Sequence, residues 1–319
     1  MGRSRIVLGL IAMLAGAGAA VARADDAPPP RVAAHQHLIS PEFAKVIGQP
    51  VLDGPDLLKA LDDAHIRRGV VLSMGYSFAD ERKQIPDPDA HTARENDWTS
   101  AQMVRSRGRL VGFCGVNPLR EAALAEIDRC LRLPGMIGLK LHFANSGVSL
   151  RNPAHAARLK QVFALANARR APIVVHMHAR TGAPYGAEDA QLFLDELLPA
   201  APDVVVQVAH LAGSGEFPPE AQAAMKVFAA AIAAHDPRTR NLYFDQCVVA
   251  DAATTPETGA RIAEAIRSVG ARRVFFGSDM PIAGNPPPKG SWRVFVDKVP
   301  LTAPEVRTIA ANVPPYMPR

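Results

Sequence analysis

Val32-Ala-Ala-His-Gln-His37 is a short apolar run that closes on two histidines one residue apart. In an extended chain, side chains alternate between faces, so His35 and His37 project to the same side. Two imidazoles on one face at the end of a strand can grip a single divalent metal. Such a pair is weak evidence alone. Its weight comes from later apolar runs that also end in histidine or aspartate.

Working outward, eight β-rich runs are legible: Val32–His37, Gly69–Met74, Leu110–Val116, Met136–His142, Ile173–His178, Val204–His210, Leu242–Cys247 and Arg273–Asp279. Most are nearly continuous in apolar character, as in strands buried on both faces. Helical spacing lies between them, at Pro55–His65, Ala93–Arg107, Glu121–Leu131, Pro153–Ala168, Ala187–Leu198, Pro219–Ala234 and Thr258–Val269. The alternation predicts an α/β fold, a parallel sheet closed as one (β/α)8 TIM barrel over residues 25–319. A doubly wound open sheet is the rival, but no Gly-rich turn follows the first strand. The loops Ser73–Thr92, Phe143–Asn152, Arg180–Gly186, Leu211–Pro218 and Asn285–Gly290 would build the chemical face.

The chain has 319 residues, 48% of them hydrophobic, ample for a large core. Its first 24 residues read as a secretory signal peptide: Arg3 and Arg5, an apolar stretch from Ile6 to Ala20, then Ala22-Arg23-Ala24 in the small-x-small form of a cleavage site. A membrane anchor is the alternative, although the stretch is short for a span of about 20 residues. The expectation is an exported protein, periplasmic or secreted, with no membrane association after cleavage. Cleavage would remove Arg3, Arg5 and Arg23, so Lys+Arg falls from 36 to 33 against 31 acids and the formal charge from +5 to +2. The basic pI is therefore partly a targeting effect and gives no case for a nucleic-acid partner. Cys114, Cys130 and Cys247 are too few for a disulfide framework. One bridge is open to them in an oxidising compartment, and buried free thiols are the simpler reading.

The strand ends can now be compared. Strand one offers His35 and His37, strand four Lys140 and His142, strand five His176 and His178, strand six His210 and strand eight Asp279. All interrupt or end an apolar run at the same end of the strand. Burying so many ionisable groups together is costly unless they are paired or bind metal. Four strands ending in histidine, with Asp279 on a fifth, predict a metal site.

The motifs His35-Gln-His37, Gly138-Leu-Lys-Leu-His142, Val-Val-His176-Met-His178, Ala209-His210-Leu-Ala-Gly213 and Phe276-Gly-Ser-Asp279 together resemble the amidohydrolase superfamily, within it the amidohydrolase 2 branch. That branch includes metal-dependent TIM-barrel hydrolases, lactonases, and decarboxylases related to aminocarboxymuconate-semialdehyde decarboxylase. The resemblance spans nearly the whole chain after the signal peptide. It implies His35, His37 and His176 as metal ligands, with Asp279 ligating the metal or its water and taking the proton during attack. His210 would bind metal weakly or hold the attacking water. One divalent transition metal is implied, zinc first and manganese second.

Other groups keep two readings. Lys140 would support the site electrostatically or bind a substrate carboxylate; in binuclear relatives such a lysine is carboxylated and bridges two metals. His142, His178 and Arg180 are candidate substrate contacts, with rim or solvated loop positions as the alternative. Asp245 would orient a ligand imidazole or be a paired acid at the core edge. The leading expectation is hydrolysis of an ester, lactone or amide of a small organic acid. Nonhydrolytic decarboxylation of an aromatic or unsaturated acid is second. A binding barrel without turnover is third, and the intact His210 and Asp279 stand against it. The expected partner is a small organic acid or lactone; self-association is left open.

Overall fold

The computed structural model describes residues 21–215 and 217–318, so residues 1–20 of the expected signal peptide lie outside it. The strands are β1 (Val32–Gln36), β2 (Arg68–Leu72), β3 (Leu110–Gly115), β4 (Met136–His142), β5 (Ile173–His176), β6 (Val206–Val208), β7 (Leu242–Asp245) and β8 (Val274–Phe275). They form one parallel sheet in sequence order. The ring closes where the Ala34 N–H donates to the Phe276 carbonyl at 2.7 Å and those of Ser278 and Asp279 donate to the His35 carbonyl. The fold is the predicted (β/α)8 barrel. Among the described residues, no helix is long and apolar enough to cross a membrane.

Several strands stop short of their predicted ends. Beyond β6, His210, Leu211 and Ala212 take φ values of 54°, 47° and 63°, and beyond β8 Asp279 takes 55°. These left-handed conformations are costly for residues with a Cβ and persist where surrounding packing imposes them. They break the β geometry just where His210 and Asp279 must turn toward the barrel axis. At Gly277 a Cβ would lie 2.5 Å from the His35 Cβ and 3.1 Å from Cys247 Sγ, so only glycine lets β8 press against β1.

All seven predicted helices form. Among the described residues five more appear, Pro41–Ile47, Pro288–Lys298, Ala303–Ala311 and the single turns Gly75–Phe78 and Phe143–Ser146. The run Pro286-Pro287-Pro288 reads as a loop, yet proline at the first helical position is pre-organised for a helix. Likewise Pro88 opens the helix Pro88–Arg105 inside the predicted loop Ser73–Thr92. The main core lies between sheet and helices, where Phe163, Phe193, Phe228 and Phe244 meet in succession. A smaller cluster of Val32, Val70, Phe113 and Met317 closes the N-terminal end of the barrel. The C-terminal tail completes that plug: Tyr316 packs edge-on to Phe113, and its hydroxyl donates to Gln207 Oε1 at 2.6 Å.

The cysteines differ from the simpler expectation. Cys114 on β3 and Cys130 at the end of helix Ala123–Cys130 form a disulfide, and Cys247 is the buried free thiol.

Candidate active site

At the C-terminal ends of the strands a cavity of 620 Å³ is lined by His35, His37, Lys140, His142, His176, His210 and Asp279. His178 and Arg180 are not in that lining. The His178 ring packs on Tyr185 and its Nδ1 meets the Ala179 carbonyl. Arg180 donates from Nε to the Ala144 carbonyl and lies 3.9 Å from Asp80.

His35 and His37 each have Nδ1 tied to an outer group. His35 Nδ1 lies 3.0 Å from Asp245 Oδ2, and His37 Nδ1 lies 2.7 Å from the Leu72 carbonyl. A carboxylate and a carbonyl can only accept, so the proton resides on Nδ1 and Nε2 presents a lone pair inward. Both Nε2 atoms face one oxygen, Asp279 Oδ1, at 3.2 and 3.1 Å. Three Lewis-basic atoms thus converge, with a cation or proton required between them. That donor set fits a divalent metal, and the three groups lie within 4.8 Å of one another. His176 lines the same cavity but is outside that group; its ring stacks on His142 at 3.9 Å and meets His210 at 5.0 Å.

A second set, His35, His210, Asp245 and Cys247, is equally close-packed. It is a hydrogen-bond hub and not a coordination shell, because its donors are already engaged. Asp245 Oδ2 takes His35 Nδ1 and Gln207 Nε2, while Oδ1 takes the backbone N–H groups of His210 and Cys247. His210 Nδ1 donates to the Cys247 carbonyl at 2.9 Å. Asp245 therefore fixes the orientation of the His35 imidazole.

Charge follows this geometry. Burial would raise Asp279, yet His35 and His37 outweigh it and hold the carboxyl well below its usual range. Burial also opposes the Asp245 carboxylate, but His35 and the His210 amide pull it down to about 2. For His35, burial and Lys140 push down, and Asp245 and Asp279 prevail, so its pKa is raised. Burial lowers His210 to about 4 and takes His142 and His176 well below the ordinary value. Burial lowers Lys140 to about 8, with its Nζ 3.4 Å from His35 Nε2.

Two lining residues were not legible as site residues. Asn285, from the loop after β8, donates Nδ2 to Asp279 Oδ2 at 2.9 Å and fixes the carboxylate plane. Tyr76 falls within the predicted loop Ser73–Thr92. Among the described residues its buried hydroxyl has one hydrogen-bond partner, Met74 Sδ at 3.4 Å, a weak acceptor. An isolated Asn or Tyr in a loop carries no periodic signal that marks it.

A family model described as amidohydrolase matches residues 32–311. No curated protein matches the sequence. Among solved structures the chain is similar to 2,6-dihydroxybenzoate decarboxylase complexed with 2,6-dihydroxybenzoate, at 15% identity and TM-score 0.59, covering 89% of this chain and 97% of that one. It is similar to 5-carboxyvanillate decarboxylase from Novosphingobium aromaticivorans with bound manganese, at 13% identity and TM-score 0.58, covering 92% and 97%. A third is the IDCase of Metarhizium anisopliae, at 16% identity and TM-score 0.56, covering 90% and 96%. At such identities the likeness is one of fold.

Proposed function

The chain belongs to the amidohydrolase family, and from that premise we propose that it is an exported metal-dependent hydrolase acting on an ester, lactone or amide of a small organic acid. The observation that carries this reading is the convergence of His35 Nε2, His37 Nε2 and Asp279 Oδ1 in a cavity that also holds one buried cation, Lys140. A metal held by His35, His37 and Asp279, with His176 beside them, would supply Lewis acidity and an acidified water. Zinc is the first choice and manganese the second, since histidine–carboxylate shells accept both.

The protein's own groups do the rest. Lys140 attracts a substrate carboxylate to the cavity floor. Asn285 keeps Asp279 Oδ2 in place, so the carboxylate can take a proton without rotating. His210 is neutral at pH 7, and with Nδ1 bound to the Cys247 carbonyl it offers Nε2 as the proton acceptor and later donor to the leaving group. The Tyr76 hydroxyl, lacking a strong partner, donates to a substrate oxygen. Tyr76→Phe should raise KM about tenfold, the worth of one hydrogen bond of about 1.4 kcal/mol, with metal content unchanged. Unaltered KM across all turned-over substrates would remove Tyr76 from this role.

Decarboxylation of an aromatic or unsaturated acid is the second reading. It is favoured by the decarboxylases among the solved relatives and by the apolar wall of Val248, Ala250, Ile282 and Val294. Zinc- and manganese-loaded protein should be offered lactones and esters of small acids beside hydroxybenzoates. Metal-dependent ring opening supports the first reading; carbon dioxide release without hydrolysis replaces it with the second. Turnover that survives metal removal would sink both.

Export is supported by the Cys114–Cys130 bridge, since disulfides persist in oxidising compartments. Protein recovered from the periplasm, denatured without reductant, should show one reactive thiol of its three cysteines. Reduction should cost about 3 kcal/mol of stability, the loop-closure value for a bridge of this span. Three free thiols in that protein would count against export as the reason for the bridge.

A further inference from the structure

Five arginines line one groove of 870 Å³ at the end of the barrel opposite the cavity. They come from the segments leading into three adjacent strands: Arg31 before β1, Arg67 and Arg68 at β2, Arg107 and Arg109 before β3. Among the described residues Asp62 is the groove's one carboxylate, and Arg109 already occupies it with both terminal nitrogens, while also donating to the Arg67 and Ile66 carbonyls. Arg68 donates to the Pro318 carbonyl. Among the described residues, the guanidinium groups of Arg31, Arg67 and Arg107 have no acceptor. Five arginines and one aspartate leave a formal surplus of four in this groove, against +5 for the whole chain. The rest of the sequence is close to neutral. Several arginines elsewhere at this end are matched: Arg169 with Asp128, Arg238 with Asp195 and Asp236, Arg240 with Asp203.

We propose that this groove is a second binding site, for a ligand carrying several phosphate-type oxyanions. The guanidinium fork matches a phosphate bidentately, and unpaired forks arriving from three separate loops suit several phosphates, not one. A chain of linked phosphates and a cluster of phospholipid headgroups share this chemistry. The groove lies at the far end of the barrel from the proposed chemistry, so the inference stands or falls independently of it.

The test titrates the full protein with tripolyphosphate by calorimetry at physiological salt, beside cosedimentation with phosphatidylglycerol and phosphatidylcholine vesicles. One saturable tripolyphosphate site per chain is expected, weakened at least about tenfold in R31Q/R67Q/R107Q, the loss of one or more charge-assisted contacts. An equal charge change at exposed residues that do not line the groove, K45Q/R170Q/K226Q, should alter it less than about twofold, since screened surface charges contribute little at this salt. Melting temperature and turnover should be unchanged in both variants. Binding to phosphatidylglycerol vesicles that tripolyphosphate competes away supports the site with lipid as its source. Tripolyphosphate binding without vesicle binding supports it with a soluble source. Equal weakening in the two variants, or no saturable binding of either probe, overturns the proposal.

Discussion

Replacing His35 and His37 together by alanine should leave a folded barrel that retains no metal, with turnover down about a thousandfold or more. The size follows from losing several kcal/mol of Lewis-acid stabilisation at about 1.4 kcal/mol per tenfold in rate. The two single variants should differ in stability, and the reason is local. His37→Ala leaves a backbone carbonyl, that of Leu72, short of one donor. Both variants cost Asp279 one of its two imidazole neighbours, but His35→Ala also takes a donor from Asp245, a fully buried carboxylate. An under-satisfied buried charge costs more than an under-satisfied carbonyl, so His35→Ala should melt below His37→Ala. Elemental analysis of protein purified without chelator and paired melting curves check both statements. A double variant that keeps one tightly held metal per chain would show that the metal sits elsewhere.

The second large effect is at Asp245. Its carboxylate collects four donors, from β1, β6 and the turns after β6 and β7, with no exposed surface. Asp245→Ala strips all four at once and should cost about 3–5 kcal/mol, the range seen when a buried ionic network loses one partner. The milder Asp245→Asn keeps the volume but reverses one hydrogen-bonding face, and should weaken metal affinity about 10–100-fold through the orientation of His35. The acid dependence has a definite sign. The Asp245 carboxyl falls from 3.8 to about 2 on folding, so the native state favours the ionised form. Its contribution is fully present above pH 3.8 and is lost as pH falls through about 2. Asp279 is depressed in the same direction and adds to the same acid limb. Urea unfolding of metal-free protein at pH 7 and near pH 3 should therefore show a smaller pH effect in Asp245→Asn than in the parent. Identical urea midpoints for parent and Asp245→Ala at pH 7 would refute the hub.

The barrel was legible because its strands are continuous apolar runs and its helices carry spaced leucines. The His-x-His pair, His176, His210 and Asp279 were legible for a related reason, since a polar group at the end of an apolar strand is visible against its background. What stayed hidden depends on three-dimensional partners. Asp245 has the same look on β7 whether it orients an imidazole or pairs at the core edge, and only the 3.0 Å approach to His35 separates the two. Cys114 and Cys130 are sixteen residues apart in apolar surroundings, where pairing and mere burial read alike. His178 and Arg180 follow His176 in sequence, but β5 ends at His176, so the alternation of faces that would align His178 with His176 lapses there. The helix Pro288–Lys298 was masked by the prolines that begin it.

The tail-to-cavity connection has a practical side. Tyr316 donates to Gln207 Oε1, Gln207 donates to Asp245, and Asp245 holds His35, so three hydrogen bonds lead from the last residues of the chain to the first histidine. An affinity tag or fusion partner appended at the C-terminus would pull on that wire. Catalytic assays on such material risk measuring the tag; a removable N-terminal handle leaves the connection untouched.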